Sequence, residues 1–143
     1  MTKPDHQLIQ ERMAHYANAI DAKDYPAIGD CFTHDAEAKY SDFSALLIGR
    51  ETILAHMRKA LEPLAVTQHI FGNFIVDVDG DVATASCAIL AQHLAGGAEA
   101  ATYLSGGQYT LKLRRAGGEW RISSAMAREV WSIGDRMLLP REP

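Results

Sequence analysis

Apolar positions change period along this chain, and each change marks a new element. Leu8, Ile9, Met13, Tyr16, Ala17 and Ile20 recur at helical spacing, which predicts an amphipathic helix ending near Ala22, with Asp5 as its cap. Asp24, Tyr25 and Pro26 read as the cap and first turn of a short second helix running through Ile28 and Cys31 to Phe32. From Asp35 to Ser41 the period falls to two: Ala36, Ala38 and Tyr40 face one way and Glu37 and Lys39 the other, the signature of a half-buried strand. After a loop to Gly49, helical spacing returns from Arg50 to Leu64 through Ile53, Leu54, Met57, Ala60 and Leu61, with Pro63 placed where such a helix stops.

Beyond Val66 the chain reads almost entirely as strand. A strand from Val66 and one from Val82 to Leu94 are joined by Asp79-Gly80, a dipeptide suited to tight hairpins. Ala95 to Ala100, with its Gly-Gly pair, reads as a flexible link. A third strand from Tyr103 places Tyr109, Leu111 and Leu113 inside and Gln108, Thr110, Lys112 and Arg114 outside. Gly117-Gly118 then turns it into a fourth, with Trp120, Ile122, Ser124 and Met126 on one parity and Arg121, Ser123 and Ala125 on the other. Helices first and a meander of long hairpins afterwards predict an α+β fold: one domain over residues 1–143, a curved antiparallel sheet wrapped around the N-terminal helices. Such a cone leaves a pocket between its layers, a common place for a small ligand.

Two positions carry chemical interest. On the strand from Val66, His69, Phe71, Asn73 and Ile75 share a face, and the other parity (Ile70, Phe74, Val76, Val78) is apolar as well. The strand is therefore expected to be covered on both sides, with His69 walled by apolar neighbours where base chemistry becomes possible. Asp21 falls in the last turn of the first helix, where exposed carbonyls make a carboxylate unfavourable by up to ~1 kcal/mol, so a local partner is required. The structural alternative is a core histidine bonded to a helix end.

Composition narrows the classes. With 143 residues, 48% hydrophobic and 22% charged, the chain is an ordinary globular one, and its net charge of −4 argues against a nucleic-acid partner. No run reaches the roughly 18 apolar residues of a membrane span. Cys31 and Cys87 lack CxxC spacing and read as buried thiols in a reducing compartment, which points to the cytoplasm. The six histidines show no HxH or HExxH spacing, and neither a glycine-rich phosphate loop nor GxSxG is present, so neither metal nor cofactor is expected.

The ordered set YANAIDAKD, FTHDAEAKYSDF, GRETI, TQHIFGN, VDGDVATA and GEWRI resembles the SnoaL-like proteins of the nuclear transport factor 2 superfamily, in the branch of scytalone dehydratase and hexachlorocyclohexane dehydrochlorinase. The resemblance implies a cystatin-like cone and a cofactor-independent lyase acting on a small apolar cyclic or polyketide-like substrate. It pairs Asp21 with His69 across the pocket mouth, His69 as base and Asp21 as its orienter, and matches His93 and Tyr40 to a second pocket histidine and a tyrosine. Tyr16 matches the oxyanion tyrosine of related isomerases. Phe43, Met57, Phe71, Asn73, Tyr109 and Arg128 are the remaining candidates for contact with substrate. The pattern departs from the dehydratase at Ile20, Gly107 and Tyr109 and from the dehydrochlorinase at Ala125. An isomerase or cyclase using the same base, or a non-catalytic binding module of the same fold, are the alternatives. By family analogy the chain is expected to form a homodimer or homotrimer.

Overall fold

The computed structural model describes residues 2–96 and 101–139. Of the link expected at Ala95 to Ala100, residues 97–100 lie outside the described residues. Three helices precede most of the sheet: α1 (Asp5–Ala22), α2 (Tyr25–Asp30) and α3 (Arg50–Leu61). The strands are β1 (Phe32–Lys39), β2 (Leu47–Ile48), β3 (Val66–Asp79), β4 (Val82–Leu94), β5 (Thr102–Ala116) and β6 (Glu119–Gly134), followed by a 3-10 turn at Arg136–Leu138.

The strands form one curved, unclosed sheet in the order β2-β1-β6-β5-β4-β3. Every ladder is antiparallel except β1 with β6, which is parallel and carries the chain's first strand past the last. The apolar stripe of α1, with Ile9, Met13, Tyr16 and Ile20 fully buried, lies mainly along β3 on the inner face and shares one core with Leu111, Leu113 and Ile122. Each such side chain contributes about 1.5–3 kcal/mol when fully buried, so the stripe fixes how the helix sits in the cone. Among the described residues no helix is long and apolar enough to cross a membrane.

Local boundaries differ from the sequence expectation where tertiary bonds compete. Asp5 is not the cap of α1, because Pro4 holds that position; its carboxylate instead accepts from Trp120 Nε1 (3.0 Å) and Arg115 (2.7 Å), tying the first turn to the β5–β6 hairpin. Asp24 does cap α2, accepting from the Ala27 N–H at 3.2 Å. That helix ends at Asp30, since Phe32 already pairs with Ile122 in the sheet. Helix α3 stops at Leu61, a turn short of Leu64.

Four irregularities bend the sheet: in β1 between Phe32 and Glu37, in β3 between Gly72 and Ile75, and in β6 opposite Gly106 and Gly107 and again opposite Lys112 and Leu113. A bulge puts an extra residue in one strand and so reverses which side chains face inward beyond it. In β3, Asn73 adopts φ 54° within the bulge, after which Phe74, Val76 and Val78 pack on the core while Ile75 points out. The expected covering of β3 on both faces therefore fails, with Ile70 and Ile75 exposed on the outer side. In β6, Trp120 and Ile122 face inward, but the bulge hands the inward face to Ala125 and Ala127 in place of Ser124 and Met126.

Candidate active site

The opening helix delivers Asp21 to the edge of the sheet. Lys23 closes α1 in the left-handed region (φ 53°), its N–H bonded to the Ile20 carbonyl, and Asp24 N–H returns to Ala19. Asp21 then lies beside β3, the terminal strand of the sheet. Three donors converge on it: Thr67 Oγ1 (2.9 Å) and His69 Nδ1 (2.8 Å) on Oδ1, and the His69 backbone N–H (2.9 Å) on Oδ2. Thr67 and His69 both reach it because residues two apart on a strand share a face. The unfavourable helix-end position is offset by these bonds. Burial works to raise the Asp21 carboxyl, but the His69 ring and backbone, then Thr67, outweigh it and hold the group below the usual carboxylate range.

A carboxylate only accepts, so the proton shared with it belongs to His69 Nδ1 and the Nε2 lone pair is left toward the cavity that His69 lines. His93 on β4 repeats the arrangement. Its Nδ1 donates to the Tyr103 carbonyl at 2.8 Å, and its ring meets that of His69 edge to face at 5.8 Å. Burial lowers the His93 pKa, with the neighbouring His69 adding to that effect and the Tyr103 carbonyl opposing it. His93 is thus a neutral ring presenting a second acceptor nitrogen.

Phenols gather at another part of the cavity. Tyr40 lies flat on His56 of α3 (centroids 5.4 Å apart, planes at 5°), and its hydroxyl is 2.8 Å from that of Tyr16. Tyr109 packs beside Tyr16 at 6.4 Å. Burial pushes all three phenols up, so they remain neutral hydrogen-bond donors at physiological pH.

The cavity measures about 650 Å³, within the usual range for small-molecule sites. His69, His93, Tyr40, Tyr109 and Met57 line it, and Phe43 stands at its mouth on the loop after β1, 86% exposed. Three expected contacts lie elsewhere. Tyr16 is wholly buried behind Tyr40, Phe71 packs edge-on against Tyr109 and His69 without lining the space, and Asn73 is carried to the surface by its bulge. Arg128 borders the cavity with an exposed side chain, because the β6 bulge separates it from the inward face of Trp120 and Ala125.

Several lining groups escaped sequence reasoning: His56, Tyr103, Ser105, Glu129 and Arg136. The clean alternation of β5 does extend back to Ser105 and Tyr103, a signal that was available. For Glu129 none was, since two bulges lie on β6 and strand parity alone misassigns it. Among the described residues no three His, Cys, Asp or Glu side chains converge to hold a metal ion.

Helices packed on a curved, unclosed sheet make a cystatin-like fold, as in an NTF2-like protein from Novosphingobium aromaticivorans. The chain belongs to the SnoaL-like domain family, whose model matches residues 3–125. A provisionally assigned scytalone dehydratase from Novosphingobium aromaticivorans superposes with a TM-score of 0.85 at 19% identity, over 96% of this chain and 91% of that one. A type 2 hexachlorocyclohexane dehydrochlorinase gives 0.80 at 18% identity, over 96% and 93%. At these identities the likeness is one of fold. An uncharacterized protein of Mycobacterium tuberculosis is 36% identical over 83 residues, 56% of this chain and 54% of its own length. The chain thus spans about half the length of the curated relatives it matches.

Proposed function

We propose that this protein is a cofactor-independent lyase that eliminates water from a small, largely apolar β-hydroxy carbonyl compound, cyclic or polyketide-like. The observation that carries the reading is the Asp21–His69 bond at 2.8 Å, which fixes the tautomer with Nε2 free for the cavity. Nε2 takes the proton from the carbon next to the carbonyl, the C–H electron pair becomes the new C=C bond, and the C–O bond at the β carbon breaks. The imidazolium returns its proton to the departing hydroxyl, so water leaves and the base is restored. Asp21 stabilises the transient imidazolium, as a carboxylate does behind a catalytic histidine. Tyr40 donates to the carbonyl oxygen on which charge develops, and His93 accepts a hydrogen bond from a substrate hydroxyl. A cytoplasmic setting suits the two buried free thiols. The exposed apolar side chains of the outer sheet face, Ile70, Leu90, Trp131 and Ile133, supply the surface on which two or three copies associate.

The test is a panel of β-hydroxy ketones incubated with wild type, His69→Ala and Asp21→Asn, each first shown to be folded by circular dichroism. Conjugated enone is followed by ultraviolet absorbance and loss of water by mass. Equal turnover in all three proteins removes the dyad from the mechanism, and product of unchanged mass points to the isomerase or cyclase variant. Binding without turnover identifies a carrier.

A further inference from the structure

The elimination leaves Asp42, Arg128, Glu129 and Arg136 of the cavity lining without a task, and of these Glu129 alone is not exposed. Glu129, on the inner side of β6, has a side chain only 21% exposed, and three donors close on it. The Tyr103 hydroxyl and Ser105 Oγ (2.9 Å) reach Oε2, while Arg136 reaches Oε1 at 2.7 Å and also donates to Ser132 Oγ at 2.9 Å. A carboxylate offers about four acceptor positions, two on each oxygen, so Oε2 is filled and Oε1 keeps one vacant. Both hydroxyls direct their protons at Glu129, which leaves only lone pairs for any other partner. Burial, then the bond to Glu129, raises the Tyr103 phenol and keeps it in its donor form. Glu129, Tyr103 and Ser105 therefore present only acceptors, the donors of the cluster being those of Arg136.

Sheet register sets its distance from the dyad. His69 pairs with Ala91, and Ala91 with Ser105, so two strand spacings, roughly 10 Å, separate His69 from Ser105 along one row of the concave face, and the Glu129 carboxylate, reaching over from β6, lies one hydrogen bond beyond the Ser105 hydroxyl. A ligand of two rings laid across the strands spans that interval. Charge narrows what the far end carries. Arg136 already balances Glu129, which removes the demand for a charged arm of either sign. A neutral donor fits.

We propose that Glu129, supported by Ser105 and Tyr103, is a second recognition point that accepts a hydrogen bond from a hydroxyl at the far end of a two-ring ligand whose reacting end lies at His69. This rests on the small-ligand reading of the cavity given above. Glu129 is here a specificity residue and takes no part in the proton transfer.

The experiment compares three probes by isothermal titration calorimetry: 4-phenylphenol, biphenyl-4,4′-diol and 4′-methoxybiphenyl-4-ol, in which the second oxygen cannot donate. A hydrogen bond to a charged acceptor gives roughly tenfold tighter binding or more, so wild type is expected to favour the diol over 4-phenylphenol by about that factor and to lose the gain with the methyl ether. In Glu129→Gln the amide oxygen faces Arg136 and the NH₂ faces the two hydroxyls, so the acceptor stays but loses its charge; the gain of the diol shrinks severalfold and 4-phenylphenol keeps its wild-type affinity. A gain that persists undiminished in Glu129→Gln, or uniform weakening of every probe, overturns the assignment. The methyl ether binding as tightly as the diol to wild type overturns it without recourse to a variant. Binding of 4-phenylphenol with no gain from the second hydroxyl refutes this inference alone. Failure of all three probes to bind wild type refutes the cavity reading and this inference with it.

Discussion

Replacing Asp21 by Asn exchanges one carboxylate oxygen for an NH₂ group and tests the dyad directly. The wild-type carboxylate satisfies three donors at once, the Thr67 hydroxyl and His69 Nδ1–H on one oxygen and the His69 backbone N–H on the other. An amide has one oxygen and one NH₂, so one of those donors must face a donor. If the amide oxygen takes the Oδ1 position, the ring keeps its tautomer but the NH₂ opposes the backbone N–H, which cannot turn away because β3 is held in register by β4. A buried donor left in that state costs about 1–3 kcal/mol. If the oxygen instead takes the Oδ2 position, the Thr67 hydroxyl rotates and the ring shifts its proton to Nε2. The second arrangement wins by that same margin, a factor of roughly 5 to 150.

The variant therefore stays folded with its base proton on the wrong nitrogen. Loss of the negative charge behind the imidazolium adds to the defect, and together they are expected to lower kcat/KM by about 10²–10⁴-fold. The assay is enone formation from the best β-hydroxy ketone of the panel, paired with nitrogen-15 NMR of the imidazole, which reports directly which ring nitrogen carries the proton. Asp21→Asn with its Nδ1–H tautomer intact and kcat/KM within about threefold of wild type refutes the reasoning.

Other consequences follow from the same geometry. The folded-state value of Asp21 lies below its unfolded value near ~3.9, so its contribution is complete above that value and lost as pH falls through the folded one; the melting difference between wild type and Asp21→Asn should be largest at neutral pH and close in acid. For His93 the folded value is also depressed, below the ordinary ~6.5, and here protonation favours the unfolded chain. Stability is therefore lost as pH falls through the unfolded value, His93→Gln flattens that slope, and an NMR titration midpoint above the ordinary imidazole range contradicts it. Gly107→Ala sets a Cβ 2.2 Å from the Arg128 carbonyl, a backbone atom, whereas Gly106→Ala meets the Trp131 ring at 2.2 Å. The first should lower stability by about 1–3 kcal/mol in chemical denaturation, and the second should mainly displace Trp131, seen as a shift in its fluorescence. Ile70→Lys, on the exposed outer face, should dissociate the protein in sedimentation equilibrium, and an unchanged mass excludes that face as the interface.

Much of this molecule is legible in its letters because most of it is periodic. The helical stripe of α1, the alternation of β5 and the Asp-Gly hairpin between β3 and β4 each follow from one rule, and the structure has β3 ending at Asp79 and β4 running Val82–Leu94. Asp21 was conspicuous for being misplaced at a helix end. What periodicity cannot supply is the partner of an awkward group, or a boundary set by competition, as when Phe32 leaves a plausible helix for the sheet. The tyrosines make the same point: Tyr16 and Tyr40 both looked available for ligand, yet only packing decides that one stands behind the other.

The bulges explain both the errors and the site. A regular strand keeps one parity, so a parity argument assigns every side chain beyond an irregularity to the wrong face. Asn73 was lost from the site in this way, and Glu129 and Arg128 exchanged places. Yet a sheet of unbroken strands neither curls enough to enclose a cavity nor brings a charged residue of β6 onto the face shared with His69 and His93. Gly106 and Gly107 sit opposite the irregularity in β6, where the Trp131 ring and the Arg128 backbone come too close for any side chain. The residues hardest to read are thus those whose departure from regularity builds the concave wall. In this fold the sequence pattern identifies the scaffold, and its interruptions identify where the chemistry is held.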